Sequence, residues 1–528
     1  MDDATVTLLI LAAAVALFVW NRLPVAVVAL AVALTLAATG VTTLREALAG
    51  FGDPTVLFIA SLFVISEALD ANGVTTWAGQ RLTRAAGGDS TRLVAFSLLL
   101  AALLSALITP NGAVAALVPM MVVIGTRIGR APSRLLMPLA FSAHAGSLLV
   151  LMGSPVNILA SQAAADAGAG RFGFFSFALV GVPLTVGAVA LSLLLAPRLL
   201  PDRRARSVPP DLSAHARTLV EQHAIAGGVV ARTVPESLFT REVGVAEVVV
   251  PPRSPLIGER VFAGMTTDSG ELVVLAVQRR GEPLEGGPAT LAAGDVLLLE
   301  GAWQSLDAQL GGRDEVLVVD PPAVVRRQLV ALGPGARRTL AIFAAFVALL
   351  ATGLLPAAAA GLLAAGALVV SRAIGEEQAY RAISWPTVIL IAGLIPLSGA
   401  IESTGAADDI ARLLIDAVGD GSPYLLLAAL FVVAALFGIA VSNTATALIL
   451  IPVAIAAAAE LDVSPRPLLM CVAVACSAAF LTPISTPGNL MVMGPGGYRF
   501  GDYWRFGLPF LALFFVVAVG LVPQIWGF

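Results

Sequence analysis

Long apolar stretches separated by short polar punctuation occupy most of this chain. Runs of spanning character cover residues 4–20, 24–40, 54–71, 174–198, 338–353, 356–373 and 505–526. A helix needs about 20 predominantly apolar residues to cross a hydrocarbon core, so these runs predict membrane helices, several of them short or tightly connected. Two more apolar stretches, 93–128 and 423–458, are each interrupted midway: by ITPNGAVAALVP at 108–119 and by VSNTATALILIP at 441–452. Backbone left unsatisfied in lipid is costly, so both are predicted to be helical hairpins whose tips line a protein-enclosed cavity. A second break in each half, GSPVN at 153–157 and STPGN at 485–489, follows an apolar helix and precedes a short helical piece. That pattern predicts a discontinuous helix. Pro155 and Pro487 are also compatible with simple kinks, but their recurrence as a pair favours a function.

The breaks belong to a larger repeat. PTVLFIASLFVISEALDANG at 54–73 returns as PTVILIAGLIPLSGAIESTG at 386–405, and RFGFFSFALVGVP at 171–183 returns as RFGDYWRFGLP at 499–509. All the echoes keep one order and flank a polar stretch. Two related apolar halves, each interrupted at membrane depth, are the sequence signature of a secondary transporter.

Composition agrees. The 528 residues are 58% hydrophobic and 12% charged, with a mean hydropathy of +0.91, where a soluble protein carries about a quarter charged residues. The first run opens on Asp2 and Asp3 rather than on basic residues, and further runs follow it, so it does not read as a cleavable signal peptide. Cys471 and Cys476 are the only cysteines. Both fall in an apolar helix, which excludes a disulfide framework and predicts a buried structural role. There is no lysine, which excludes Schiff-base and P-loop lysine chemistry.

Residues 201–337 form a polar insert between a first membrane half, 1–200, and a second, 338–528. Strand-like alternation in VAEVVV (245–250), ELVVLAVQRR (271–280) and DVLLLEG (295–301), separated by turn signals, predicts a small α/β domain. Arg203, Arg204 and Arg206 at one edge, with Arg337 and Arg338 at the other, place the insert in the cytoplasm by the positive-inside rule. With five spans and one re-entrant hairpin per half, both termini lie outside. Arg22, Arg81, Arg84, Arg92, Arg127, Arg130, Arg134, Arg372 and Arg381 then fall inside, and the acidic 402–420 segment falls outside. An odd number of spans per half makes the repeats inverted. The predicted class is thus an α-helical polytopic protein of the inner (plasma) membrane. It has two inverted repeats, each of about five spans plus a re-entrant hairpin and a broken helix, with a cytosolic domain between them.

SNTAT at 442–446, GSPVN at 153–157 and LTPISTPGNLMVMGPGGYRF at 481–500 resemble the divalent anion–sodium symporter family of the ion transporter superfamily. The resemblance covers both halves, and its second-half motifs are the more specific. It implies that Ser442, Asn443 and Thr444, with Thr486 and Pro487, hold the substrate, joined from the first half by Asn111 and Ser154. It implies sodium ligands among Thr109, Asn111, Gly153, Asn443 and Ser485, and a homodimer. The first hairpin departs from the pattern: Thr109-Pro110-Asn111 stands where Ser-Asn-Thr is expected. Its register against the second hairpin differs by one residue according to whether Asn111 is matched to Asn443 or Pro119 to Pro452. In the insert, AEVVVPPRSPLIGERVF (246–262) and TLAAGDVLLLEG (290–301) resemble a TrkA-C (RCK C-terminal) domain over about 243–312. That implies a regulatory module for a small ligand, which the sequence does not identify. In the insert no GxGxxG follows a strand, so the nucleotide-binding partner domain of potassium regulators is not expected there.

The proposed site contains hydroxyls, amides and helix ends but no cationic side chain. Helix N-termini and neutral donors can hold a dianion, and hard cations take oxygen ligands, so sodium ions would supply the countercharge and no other cofactor is expected. Three ionisable residues lie in apolar stretches: Glu67, His144 and Glu402. Intramembrane ionisable groups are functional hypotheses by default. His144 is read either as a proton-coupling or substrate-touching group or as a histidine bonded to a neighbouring helix. The two glutamates lie close to span ends. The leading expectation is sodium-coupled import of a small divalent anion, sulfate or a dicarboxylate. The alternatives are anion efflux, sodium/proton antiport of the same superfamily and, from the regulatory-type insert alone, a ligand-gated channel. No GxSxG, HExxH or Walker motif is present, and His144, His215 and His223 form no ligand cluster, so no enzyme and no nucleic-acid partner is expected. Lipid is the surrounding medium.

Overall fold

The computed structural model describes the chain except residues 1, 21, 75–76, 79–80, 82–89, 128–129, 204–242, 263, 268, 280–281, 285–287, 311–315, 319–331, 334 and 419–421. Arg84, Arg204, Arg206, His215 and His223 therefore lie outside the described residues. The chain divides into two compact units. One comprises 1–68, 81–208 and 341–528, and the other 69–80 and 209–340.

The larger unit is helical throughout. Its first series runs α1 (Asp3–Trp20), α2 (Val25–Ala38), α3 (Leu44–Ala49), α4 (Pro54–Ala71), α5 (Ser90–Leu107), α6 (Pro110–Arg127), α7 (Leu136–Gly146), α8 (Pro155–Asp166) and α9 (Ala178–Leu199). After the insert, which contributes helix α10, a second series repeats the order. It runs α11 (Ala336–Thr352), α12 (Ala357–Val370), α13 (Glu376–Ala382), α14 (Trp385–Ser403), α15 (Ala406–Val418), α16 (Pro423–Ala440), α17 (Asn443–Glu460), α18 (Pro465–Ser477), α19 (Pro487–Gly496) and α20 (Phe500–Val516). Many of these helices begin on proline, whose fixed φ suits the first turn and whose missing N–H is not needed there.

Among the described residues, six helical segments are long and apolar enough to cross a membrane: Asp3–Trp20, Leu44–Ala71, Ala178–Leu199, Trp385–Ser403, Asn443–Glu460 and Phe500–Trp526. Trp385–Ser403 is absent from the simple apolar runs, and Asn443–Glu460 is the second arm of the interrupted stretch 423–458; each holds an internal proline, Pro396 or Pro452, which membrane helices tolerate. Conversely, α2 and α12 are only 14 residues each.

The two series embrace one another. Gly393 on α14 packs against the backbone of Ala29 on α2, and Gly361 on α12 packs against Ser61 and Phe58 on α4. In the alignment of the halves Ala29 matches Gly361 and Ser61 matches Gly393. Each contact is therefore the reciprocal of the other, as a local two-fold relation requires.

The insert forms a five-stranded antiparallel sheet with strand order β4-β3-β6-β1-β7. Its strands are β1 (Val243–Val249), β3 (Leu272–Arg279), β4 (Glu282–Pro283), β6 (Val296–Ala302) and β7 (Leu317–Val318), and β2 (Arg260–Val261) pairs with β5 (Ala289–Thr290). Helix α10 (Trp303–Leu310) covers one face, and Trp303 lies against Gly244, where a Cβ would overlap the indole. The alternating apolar positions of the sequence become the core: Val248, Val250, Leu272, Val274, Leu297 and Leu299.

One buried charge pins this sheet. Asp295 takes two hydrogen bonds from Arg279, at 2.8 and 2.7 Å, and one from the Ala292 amide at 2.8 Å. These bonds hold its carboxyl below the usual carboxylate range, the Arg279 guanidinium contributing most. A depressed carboxyl adds stability above its unfolded pKa and loses it as pH falls through the folded value. Asp295→Asn should therefore destabilise the insert by about 1–3 kcal/mol at neutral pH, and the difference should shrink in acid. Hydrogen exchange of 243–310 in the intact protein measures both.

Candidate functional site

Both helical hairpins break where the polar motifs stand. Between α5 and α6 the chain opens at Ile108–Thr109, and Thr109 Oγ1 accepts the Gly112 N–H at 3.1 Å. Between α16 and α17 it opens at Val441–Ser442, and Ser442 Oγ accepts the Ala445 N–H at 3.3 Å. The two caps are equivalent, each bonding the amide three residues on. Thr109 therefore matches Ser442, Pro110 matches Asn443 and Asn111 matches Thr444, which is the register that also pairs Pro119 with Pro452. Pro110 thus replaces the one tip asparagine with a side chain that has no polar atom.

The broken helices are built alike to a finer degree. Ser154 and Thr486 are N-caps with nearly the same extended backbone, φ −149° ψ 143° and φ −145° ψ 149°. Ser154 Oγ accepts the Val156 N–H, and Thr486 Oγ1 accepts the Asn489 N–H, both at 3.3 Å. Three residues after each cap stands a fully buried asparagine. Asn157 Nδ2 donates to Ser147 O at 2.9 Å and Val150 O at 3.1 Å. Asn489 Nδ2 donates to Ala479 O at 2.7 Å and Thr482 O at 3.2 Å. Each carboxamide therefore staples the carbonyls exposed by its own break, the groups that lipid could not satisfy. The N–H groups of these amides are therefore already used.

What remains open is oxygen. Among the described residues, Asn157 Oδ1, Asn489 Oδ1 and Asn443 Oδ1 are buried acceptors without a partner. Thr444 lies at the tip of the second hairpin, half-buried. Ser485 Oγ pairs with Thr482 Oγ1 at 2.6 Å, and Gly153 is packed against Ser147, leaving no room for a side chain. Pro487 is exposed. A small pocket reaches Ser485 past Ala435, Gly438, Ile439 and Phe480, and is otherwise apolar.

The halves cross at this point. Hairpin helix α6 packs on α19 and hairpin helix α17 packs on α8, so each tip serves the broken helix of the other half. In one crossing Asn111 Oδ1 accepts the Gly488 N–H at 2.9 Å, filling the first N–H of α19, since Pro487 has none. His144, on the last turn of α7, places Nε2 3.1 Å from Thr486 Oγ1. Phe141 packs with Phe480, Phe506 and Phe510 at centroid distances of 4.7–5.5 Å, tying α7 to the second half. The loop after α19 is held by Arg203, which bonds Asp502 Oδ2 at 2.8 Å and Gly497 O at 3.0 Å, and by the Tyr498 hydroxyl, which donates to Ser133 O at 2.6 Å.

Of the remaining ionisable candidates, Glu67 accepts from Gln378 Nε2 at 2.8 Å and Glu402 is exposed. Cys471 and Cys476 are buried free thiols. Among the described residues no three acidic, histidine or cysteine side chains gather as a metal centre.

A chain of this architecture, with residues 15–459 and 415–528, matches the family model described as citrate transporter. The protein belongs to the citrate transporter family. It is accordingly a multi-pass membrane transporter. An uncharacterized transporter of Escherichia coli K12, YfbS, is similar at 30% identity over 603 residues, covering 98% of each chain. A probable sodium/sulfate cotransporter of Chlamydomonas reinhardtii is similar at 26% identity over 284 residues, covering 52% of this chain and 31% of that one. The crystal structure of the Alcanivorax borkumensis YdaH transporter shares the fold, with a TM-score of 0.50, 16% identity, and coverage of 97% of this chain and 98% of that one.

Proposed function

We propose that this protein imports a small divalent anion, sulfate or a dicarboxylate, together with sodium ions, by alternating access between two inverted halves. The observation that carries the reading is the composition of the crossed sites. They offer hydroxyls, helix N-terminal amides and three unpartnered asparagine oxygens, without a cationic side chain. An anion bound there needs countercharge, and oxygen acceptors are the ligands a hard cation takes. In this reading Ser442, Asn443, Thr444, Ser154 and Thr486 meet the anion, with Asn111 and Pro487 at the edge of the same crossing. Thr109, Asn111, Asn443, Gly153 and Ser485 supply sodium ligands. The sodium/sulfate cotransporter relative and the resemblance to divalent anion–sodium symporters point the same way.

The remainder of the proposal concerns placement. The protein sits in the inner membrane, as the resembling family does, in a homodimer. The Arg-rich edges of the insert put it in the cytoplasm and both termini outside. The insert acts as a TrkA-C-like regulatory domain for a small ligand. A thermal-shift screen of sulfate, succinate, citrate, phosphate and arsenite, each in sodium and in choline, tests the substrate reading. One divalent anion should stabilise the purified protein in sodium only. Stabilisation that is equal in choline would contradict it.

A further inference from the structure

His144 and Thr486 are both buried, at 3% and 7% exposure, and they meet across the boundary between the halves. The matching positions do not repeat this bond. By the alignment that pairs Asn157 with Asn489, His144 matches Cys476 and Thr486 matches Ser154. Among the described residues no hydrogen bond joins Cys476 to Ser154. Likewise Asn111 reaches Gly488, while Thr444, its match, makes no bond to the first broken helix. Among the described residues, one broken helix is thus tied to the opposite half by side-chain hydrogen bonds and the other is not.

A threonine hydroxyl has one proton and two lone pairs. The Asn489 N–H occupies one lone pair of Thr486. An Nε2–H of His144 would occupy the second. Both lone pairs are then used, and the Thr486 proton has to point elsewhere, into the crossing. With the proton on Nδ1 instead, Thr486 would donate to the ring, and only a lone pair would be left for a ligand. The partner of the hydroxyl therefore decides whether the site offers a donor or an acceptor at this position. Phe480 stands edge-on to the imidazole, with centroids 6.1 Å apart, and limits the ring's freedom to turn.

We propose that His144 is a positioning residue: its Nε2–H saturates Thr486 Oγ1 and commits the threonine proton to the transported anion. This deepens the anion reading above and rests on it. His144 touches no ligand itself. It makes the second broken helix a fixed donor, whereas Ser154 at the first keeps a rotatable hydroxyl, so the two crossings differ in what they prefer to bind.

A double-mutant cycle on the purified full-length protein tests this, with sulfate and succinate as probes in sodium buffer and thermal unfolding as the check on folding. His144→Met and Thr486→Val should each weaken binding of the preferred anion about tenfold. The double variant should be no weaker than Thr486→Val alone, because the histidine acts through the hydroxyl. His144→Gln, which retains an N–H donor, should stay within about twofold of the parent. The apparent sodium affinity at saturating anion should be unchanged in His144→Met. Additive losses of about a hundredfold would mean that His144 contacts the anion directly, and an unaltered anion affinity in His144→Met would mean that the bond is merely structural; either overturns the inference. If the unaltered protein binds neither anion in sodium, the functional reading falls and takes this inference with it.

Discussion

Asn489→Leu is expected to abolish transport and to lower stability by about 1–3 kcal/mol. Leucine keeps the branching of asparagine at Cγ, with bulkier methyl groups, and both Nδ2 bonds are lost. Ala479 O is then left bare at a helix break, while Thr482 O keeps only the Ser485 hydroxyl; a buried unsatisfied carbonyl costs about 1–3 kcal/mol. Against a typical total of about 5–15 kcal/mol, this is a large fraction. The Asn489 backbone would still be tied, through its carbonyl to the Tyr503 hydroxyl at 2.6 Å and through its N–H to Thr486. The damage should therefore be local, and hydrogen exchange should rise first in the segment 478–486. Asn157→Leu should do the same at 146–153, chiefly through Ser147 O, since Val150 O keeps the Gly153 N–H. Unfolding midpoints of the two purified variants, with exchange resolved by segment, check the pair together. Unchanged midpoints would mean that these asparagines do not staple the breaks.

Gly181→Ala and Gly507→Ala are expected to be the other severe substitutions, each costing about 3 kcal/mol or more. A Cβ at Gly181 would overlap Leu148 O, and a Cβ at Gly507 would overlap Phe480 O. Leu148 and Phe480 are matching residues, each just beyond the first piece of its broken helix. In both halves the long helix that follows the break therefore lies directly on the backbone of the break. Backbone cannot rotate aside as a side chain can, so the overlap has to be relieved by moving a helix, at the upper end of the usual cost of overpacking. Gly399→Ala and Gly438→Ala, where a Cβ meets nothing nearby, should be close to neutral in the same assay. Comparable expression and unfolding midpoints for all four variants would contradict the packing described.

Much of this was legible in the chain itself. Proline and polar residues in the middle of apolar stretches located all four breaks, because such residues are rare at membrane depth without a purpose. The repeats showed that the breaks come in pairs, and the alternation at 245–250, 271–280 and 295–301 located the long strands of the insert. Three features were not legible. Chain order does not reveal which half a hairpin tip packs on, so the crossing of α6 onto α19 and α17 onto α8 appears only in three dimensions. The register of the first tip was ambiguous by one residue until the Thr109 cap placed it. The stapling role of Asn157 and Asn489 was the third. Their N–H groups face carbonyls seven and ten residues back, around a bend that the sequence does not describe. The recurrence of an asparagine three residues after Ser154 and Thr486 was the available signal for a structural staple.

Sodium and a divalent anion are proposed to move together through the crossed sites. The most direct measurement is uptake of radiolabelled sulfate, and of a labelled dicarboxylate, into proteoliposomes with and without an inward sodium gradient. One of these anions should accumulate when the gradient is imposed, and replacing sodium by choline should stop it. Uptake of neither anion, or uptake indifferent to sodium, would contradict the proposal.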